Sequence, residues 1–149
     1  MVKINLQSKK VFLPLNMKSL KKQNSLPSEP TKSELEILQV LWQFGPSTAR
    51  FVNDNLNKEK RAVIYMSTLK LMQIMVEKGL LKKDASQMTH IYQAAVEEGK
   101  TKGYLLDRVV DNLFNGSASN LMMQLMGNKK LTAEEMEEFK ELIKKMDHK

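Results

Sequence analysis

Three stretches of helical apolar spacing, followed by two of strand character, fill residues 31–96, and the breakers between them leave little freedom in how they connect. The first stretch, SELEILQVLWQF, places Leu35, Leu38, Leu41 and Trp42 on one face. Thr31 with Glu34, and Ser33 with Glu36, both have the capping-box spacing that satisfies backbone N–H groups at a helix start. Phe44-Gly45-Pro46 ends the helix, because Gly accepts the left-handed cap and Pro cannot continue the turn. Either Ser47 or Thr48 then caps a shorter helix, TARFVNDNLN, with Phe51, Val52 and Leu56 facing inward. After the charged turn KEKRA, a third helix runs from about Val63 to Lys78 and stops at Gly79. The strand-like runs LLKKD and THIYQAAV follow, separated by Ala85-Ser86-Gln87-Met88. Three helices and a hairpin in about 65 residues form the layout of a winged helix–turn–helix.

The third helix has two faces. At about 100° per residue, Leu71, Met75, Thr68, Met72, Tyr65, Val76 and Leu69 fill one arc, a core face of ordinary width. Opposite lie Gln73, Met66, Glu77, Lys70, Ile74 and Ser67. In a helix–turn–helix the second of the paired helices enters the major groove, its N-terminal residues nearest the bases. Ser67 and Lys70 suit hydrogen bonding there, and Met66 and Ile74 suit thymine methyls. Tyr65 and Gln73 complete this candidate reading surface. Ser47 and Thr48 stand at a helix N-terminus, a natural anion site. Arg50, Lys58, Lys60 and Arg61 flank the turn, and Lys82, Lys83, Gln87 and His90 lie on the hairpin. Singly, each is an ordinary surface residue. Grouped, they suit phosphate contacts, which position a protein without reading sequence.

Charge distribution agrees. Of the formal +7, residues 1–33 contribute +6, residues 34–96 +2 and residues 97–149 −1. A basic N-terminal half favours a polyanion, nucleic acid first, with a solvated basic tail as the competing reading. Residues 1–28 lack helical periodicity, contain Pro14 and Pro27, and read as a disordered extension, with Met17 inside it as a second candidate start. The chain has no Cys, which excludes disulfides, iron–sulfur clusters and thiol catalysis. Its two His, His90 and His148, make a His-based metal site unexpected, so neither cofactor nor metal is expected. VFLPL, the early apolar run, is too short for a signal core or a membrane span, so a cytoplasmic protein is expected. With 42% hydrophobic but 6% aromatic residues and eleven Met, the core should rest on Leu, Ile, Val and Met, most of the Met being core. No nucleophile–base pair, phosphate loop or metal cluster is legible, so the chain does not read as an enzyme.

The C-terminal part is helical. Leu105, Leu106, Val109, Val110, Leu113 and Phe114 lie on one segment, Leu121, Met122, Leu125 and Met126 on a second. Met136, Phe139, Leu142, Ile143 and Met146 lie on a third, opened by the capping box Thr132–Glu135. Three short helices in about 50 residues cannot bury all these faces alone, so a self-complementary twofold interface is expected. Packing back onto the winged helix is the competing reading.

The ordered series SELEILQVLWQFGPSTARFV, VIYMSTLKLMQIMVEKGLL, IYQAAV, LLDRVVDNLFNGSASNLMMQLM and LTAEEMEEFKELIKKM resembles the penicillinase-repressor family of transcriptional regulators over roughly residues 31–146. The resemblance implies a homodimeric repressor whose winged helix binds a palindromic operator and whose C-terminal helices dimerise. In β-lactam-responsive members a membrane sensor protease triggers cleavage, and the matching positions are Arg108 and Val109, although the Asn-Phe pair associated with that cut is absent. The Cys motif of copper-responsive members is also absent. Met66 and Ile74 stand where the family has Thr and Arg, which implies a different operator. The expected architecture is therefore mainly α with a small β-hairpin: a basic extension at 1–30, a winged helix–turn–helix at 31–96 and a helical dimerisation region at 97–149. The alternative function is a winged-helix module for protein–protein assembly.

Overall fold

The computed structural model describes residues 26–128 and 130–147. The extension up to residue 25, with Met17 and Pro14, lies outside the described residues, as does His148. The elements are α1 (Lys32–Phe44), α2 (Ala49–Glu59), α3 (Tyr65–Glu77), β1 (Leu81–Asp84), β2 (Ile91–Ala94), α4 (Glu98–Phe114), α5 (Ala118–Gly127) and α6 (Ala133–Asp147). The fold is mainly α with an antiparallel hairpin, a winged helix–turn–helix followed by helices.

Local chemistry sets the boundaries. Of the two capping boxes at α1, the Thr31–Glu34 pair forms: the Glu34 N–H donates to Thr31 Oγ1 and the Thr31 N–H to Glu34 Oε1, at 3.2 and 2.9 Å. Ser33, two residues later, lies inside the helix. Gly45 caps α1 at φ 80°, its N–H donating to Leu41 O. Thr48, not Ser47, caps α2. Gly79 closes α3 at φ 82°, and a Cβ there would stand 3.2 Å from Pro27 Cβ. Pro30 is buried, so packed structure begins before residue 31.

Two compact units meet within α4, between Tyr104 and Leu105. In the first, the core is Ile37, Leu38, Val40 and Leu41 of α1, Ala49, Val52 and Leu56 of α2, Met72 and Met75 of α3, with Leu80, Leu81 and Tyr92. Each such aliphatic side chain contributes on the order of 1.5–3 kcal/mol by leaving water. α1 buries a wider arc than its Leu spacing suggests, because α2, α3 and β2 all pack on it, and Leu35 and Trp42 lie half-buried at its rim. Trp42 satisfies its indole N–H on Val96 O at 3.0 Å. Phe51, expected inside, is 40% exposed and meets Phe44 edge to face with centroids 5.3 Å apart. Ala49 and Asn53 take the inward positions beside Val52 and Leu56.

The hairpin pairs Leu81 with Ala94, Lys82 with Gln93, Lys83 with Tyr92 and Asp84 with Ile91. On its far side Tyr92 exchanges both backbone bonds with Ser47, at 2.8 and 2.9 Å, so the corner before α2 supplies a one-residue third strand.

In the second unit no described residue is buried. Of the nine described Met, two, Met72 and Met75, are buried, and the expectation of a Met-rich core fails. The others lie on the third helix's outer face, on the hairpin and on α5 and α6, whose described apolar side chains are at most half-buried.

Candidate nucleic-acid interface

α3 buries Thr68, Met72 and Met75 and turns Met66, Ser67, Lys70, Gln73, Ile74 and Glu77 outward. Met66 is 64% and Ile74 39% exposed, so two apolar side chains face outward among the polar ones. Their outward position follows from the 3.6-residue turn: once 68, 72 and 75 are fixed inside, the arc centred on Lys70 must face out.

This helix has no side-chain cap at Ile64. Two asparagines of α2 hold its approach instead. Asn53, buried, donates to Val63 O at 3.0 Å and to Thr68 Oγ1 at 2.8 Å. Asn57 donates to Val63 O at 2.9 Å and accepts from the Val63 N–H at 3.0 Å. The turn is thereby tied to the preceding helix, and the angle between the paired helices is fixed by hydrogen bonds as well as packing. Sequence reasoning missed both residues. The signal was legible: positions 49, 52, 53 and 56 form one inward stripe, so an amide at 53 must find buried partners.

At the other end of α3, Lys78 places its ammonium 2.8 Å from both carboxylate oxygens of Glu34. Burial alone would raise the Glu34 pKa; the Lys78 ammonium and the Thr31 N–H outweigh it and hold the carboxyl below its ordinary range. One carboxylate thus caps α1 and anchors the end of α3.

The other candidates divide. The Arg50 guanidinium lies 3.9 Å over the Tyr65 ring, beside the start of α3. Arg61 is held by Glu36 at 3.2 Å and by Ser33 Oγ at 3.1 Å, yet it borders the same groove as Ser67, Lys70 and Ile74. Lys60 is exposed at the end of α2. Lys82, Lys83 and His90 are exposed on the hairpin, where Lys82 and Lys83 share a shallow groove with Pro46 and Gln93. Ser47 is a correction. It is buried, its hydroxyl donates to Gly45 O and its N–H to Tyr92 O, so neither group is open to a phosphate. The Thr48 hydroxyl accepts from the Phe51 N–H.

What remains is a bare, hydrogen-bonding helix face with cations at its flanks. Among the described residues no cluster of His, Cys, Asp or Glu could hold a metal ion. A family model described as penicillinase repressor matches residues 30–145, well over half of the chain. The chain belongs to the penicillinase-repressor family. The match runs through both compact units, and the family is one of DNA-binding transcriptional regulators. A solved structure described as a MarR family protein from Bacillus stearothermophilus is 16% identical, with 97% of this chain and 92% of that chain covered and a TM-score of 0.44. Comparison with curated proteins gives no match.

The second unit of this penicillinase-repressor family chain carries the remaining candidates. Leu106, Val109, Leu113, Met126, Leu142, Ile143 and Met146 are exposed. Leu105, Val110, Phe114, Leu121, Met122, Leu125, Met136 and Phe139 are half-buried. Arg108 and Val109 lie on the exposed part of α4, and no described helix is long and apolar enough to cross a membrane.

Proposed function

We propose that the chain is a homodimeric transcriptional repressor that binds a palindromic operator, with α3 in the major groove. The observation that carries this reading is the outward face of α3, held at both ends by the Asn53–Asn57 clamp and the Glu34–Lys78 pair. Ser67, Lys70 and Gln73 are the base-reading hydrogen-bonding groups, and Arg50, Lys60, Lys82 and Lys83 contact phosphates. The apolar sides of α4, α5 and α6 form the twofold interface, since single exposed apolar residues are ordinary but three helices whose apolar sides are exposed or half-buried are not. A membrane sensor protease, if it takes part in release, would act on the backbone near Arg108 and Val109, which is exposed on α4.

The test is binding to palindromic promoter fragments over a salt series. With about four phosphate contacts per protomer, the slope of log K against log salt should be about −7. Weak binding that is indifferent to salt would refute the reading. A chain that instead captures a protein through Met66 and Ile74, and no duplex, would be the assembly module.

A further inference from the structure

The outward face of α3 carries an arrangement that operator binding as such does not require. Met66, Lys70 and Ile74 follow at intervals of four residues, so they form a single ridge along the helix. At 1.5 Å rise per residue the two apolar ends stand about 12 Å apart, with the ammonium between them. Laid along a duplex with 3.4 Å per base step, that is roughly three to four base pairs. Met66 is the more exposed of the two and lies in the first turn, the part of such a helix nearest the base edges.

Resting on the operator reading, we infer that the ridge recognises two thymine methyl groups per half-site, three to four base pairs apart, flanking one position read by Lys70. In the major groove the thymine C5-methyl is the apolar feature that a thioether or a branched aliphatic chain matches. The occupant is DNA and not an apolar protein surface because of the surrounding charge. Arg50 sits against Tyr65 at the start of the helix, and Lys70 borders the groove that Ile74 lines, beside the Arg61–Glu36 pair. The acid on this face, Glu77, stands at the far end of α3. Gln73, between Lys70 and Ile74 in sequence, adds an amide suited to adenine N6 and N7, the partner base of a thymine. The ridge thus selects A·T pairs twice, by methyl contact, while Lys70 favours guanine between them.

The experiment uses the full chain and duplexes selected from a random-sequence library by binding to it. Each thymine of a selected duplex is replaced in turn by deoxyuridine, which removes only the methyl group. Affinity is measured by fluorescence anisotropy for the wild type, Met66→Ala and Ile74→Ala. Two thymines per half-site should each lose about fourfold in affinity without their methyl, the factor expected for one buried methyl or methylene group. Sensitivity at one should vanish in Met66→Ala and at the other in Ile74→Ala. Selective duplexes with no uracil-sensitive thymine, or with sensitivity unchanged in both variants, overturn the inference and leave operator binding standing. Absence of any selective duplex overturns both.

Discussion

Replacing Lys78 by Met removes one charge and keeps most of the side chain's apolar stem. Glu34 is 2% exposed and receives the ammonium on both oxygens at 2.8 Å, whereas Lys78 is 28% exposed. The variant therefore leaves a buried carboxylate with the Thr31 N–H as its remaining strong partner. Breaking a fully buried pair costs about 3–5 kcal/mol. Water reaches the Lys78 side and the capping bond survives, so the expected loss at pH 7 is about 2–3 kcal/mol. The pH dependence follows from the lowered pKa of Glu34. A carboxyl depressed on folding stabilises the protein above its unfolded value, about 4.3, and that stabilisation fades as pH falls through the folded value. In the variant, burial, which raises the pKa, is opposed by Thr31 alone. The difference between wild type and variant should be widest at pH 7 and shrink below pH 4, where a protonated carboxyl needs no counter-charge. Urea unfolding followed by circular dichroism, at one protein concentration from pH 7 to pH 3.5, measures this. A loss below about 1 kcal/mol at pH 7, or one that does not change with pH, would refute the account of this pair.

Three more outcomes follow from the same geometry. Asn53→Ala should cost about 2 kcal/mol in urea unfolding, because it strips a partner from Val63 O and the buried Thr68 hydroxyl, and should weaken specific more than nonspecific DNA binding. Lys70→Ala should lower the ratio of specific to nonspecific affinity, whereas Lys82→Ala should weaken both alike and flatten the salt slope by about two per dimer. Leu113→Glu, at an exposed position of α4, should shift sedimentation from dimer to monomer without altering monomer helicity in far-UV dichroism.

The winged layout was legible because its signals are local. Thr31 with Glu34, Gly45-Pro46 and Gly79 announce helix ends within a few residues, and the outward arc of α3 follows from period alone. What escaped depends on partners in other elements. Arg61 reads as a free cation until Glu36 and Ser33, 25 and 28 residues away, are brought beside it. Ser47 reads as a cap until Tyr92 takes its backbone. Phe51 has the apolarity of a core residue, but its place on α2 points it at Phe44 on the surface. The start of α3 read two residues early because Ile64 offers no capping side chain and the clamp comes from α2. Methionine content misled for a different reason: hydrophobicity says that a side chain seeks cover, not that its own chain provides it.

The rung that Ser47 adds to Tyr92 has a consequence for handling the protein at high concentration. It closes one side of the hairpin, while among the described residues β1 has β2 as its sole paired neighbour, so the outer side of β1 is the one at which a second molecule could zip on. Lysines on such a margin are a common guard against that kind of self-association. Lys82 and Lys83 stand there, and stripping both to probe the duplex grip would also lift the guard, so a silent double variant must be checked for clumping before its silence is read as lost affinity.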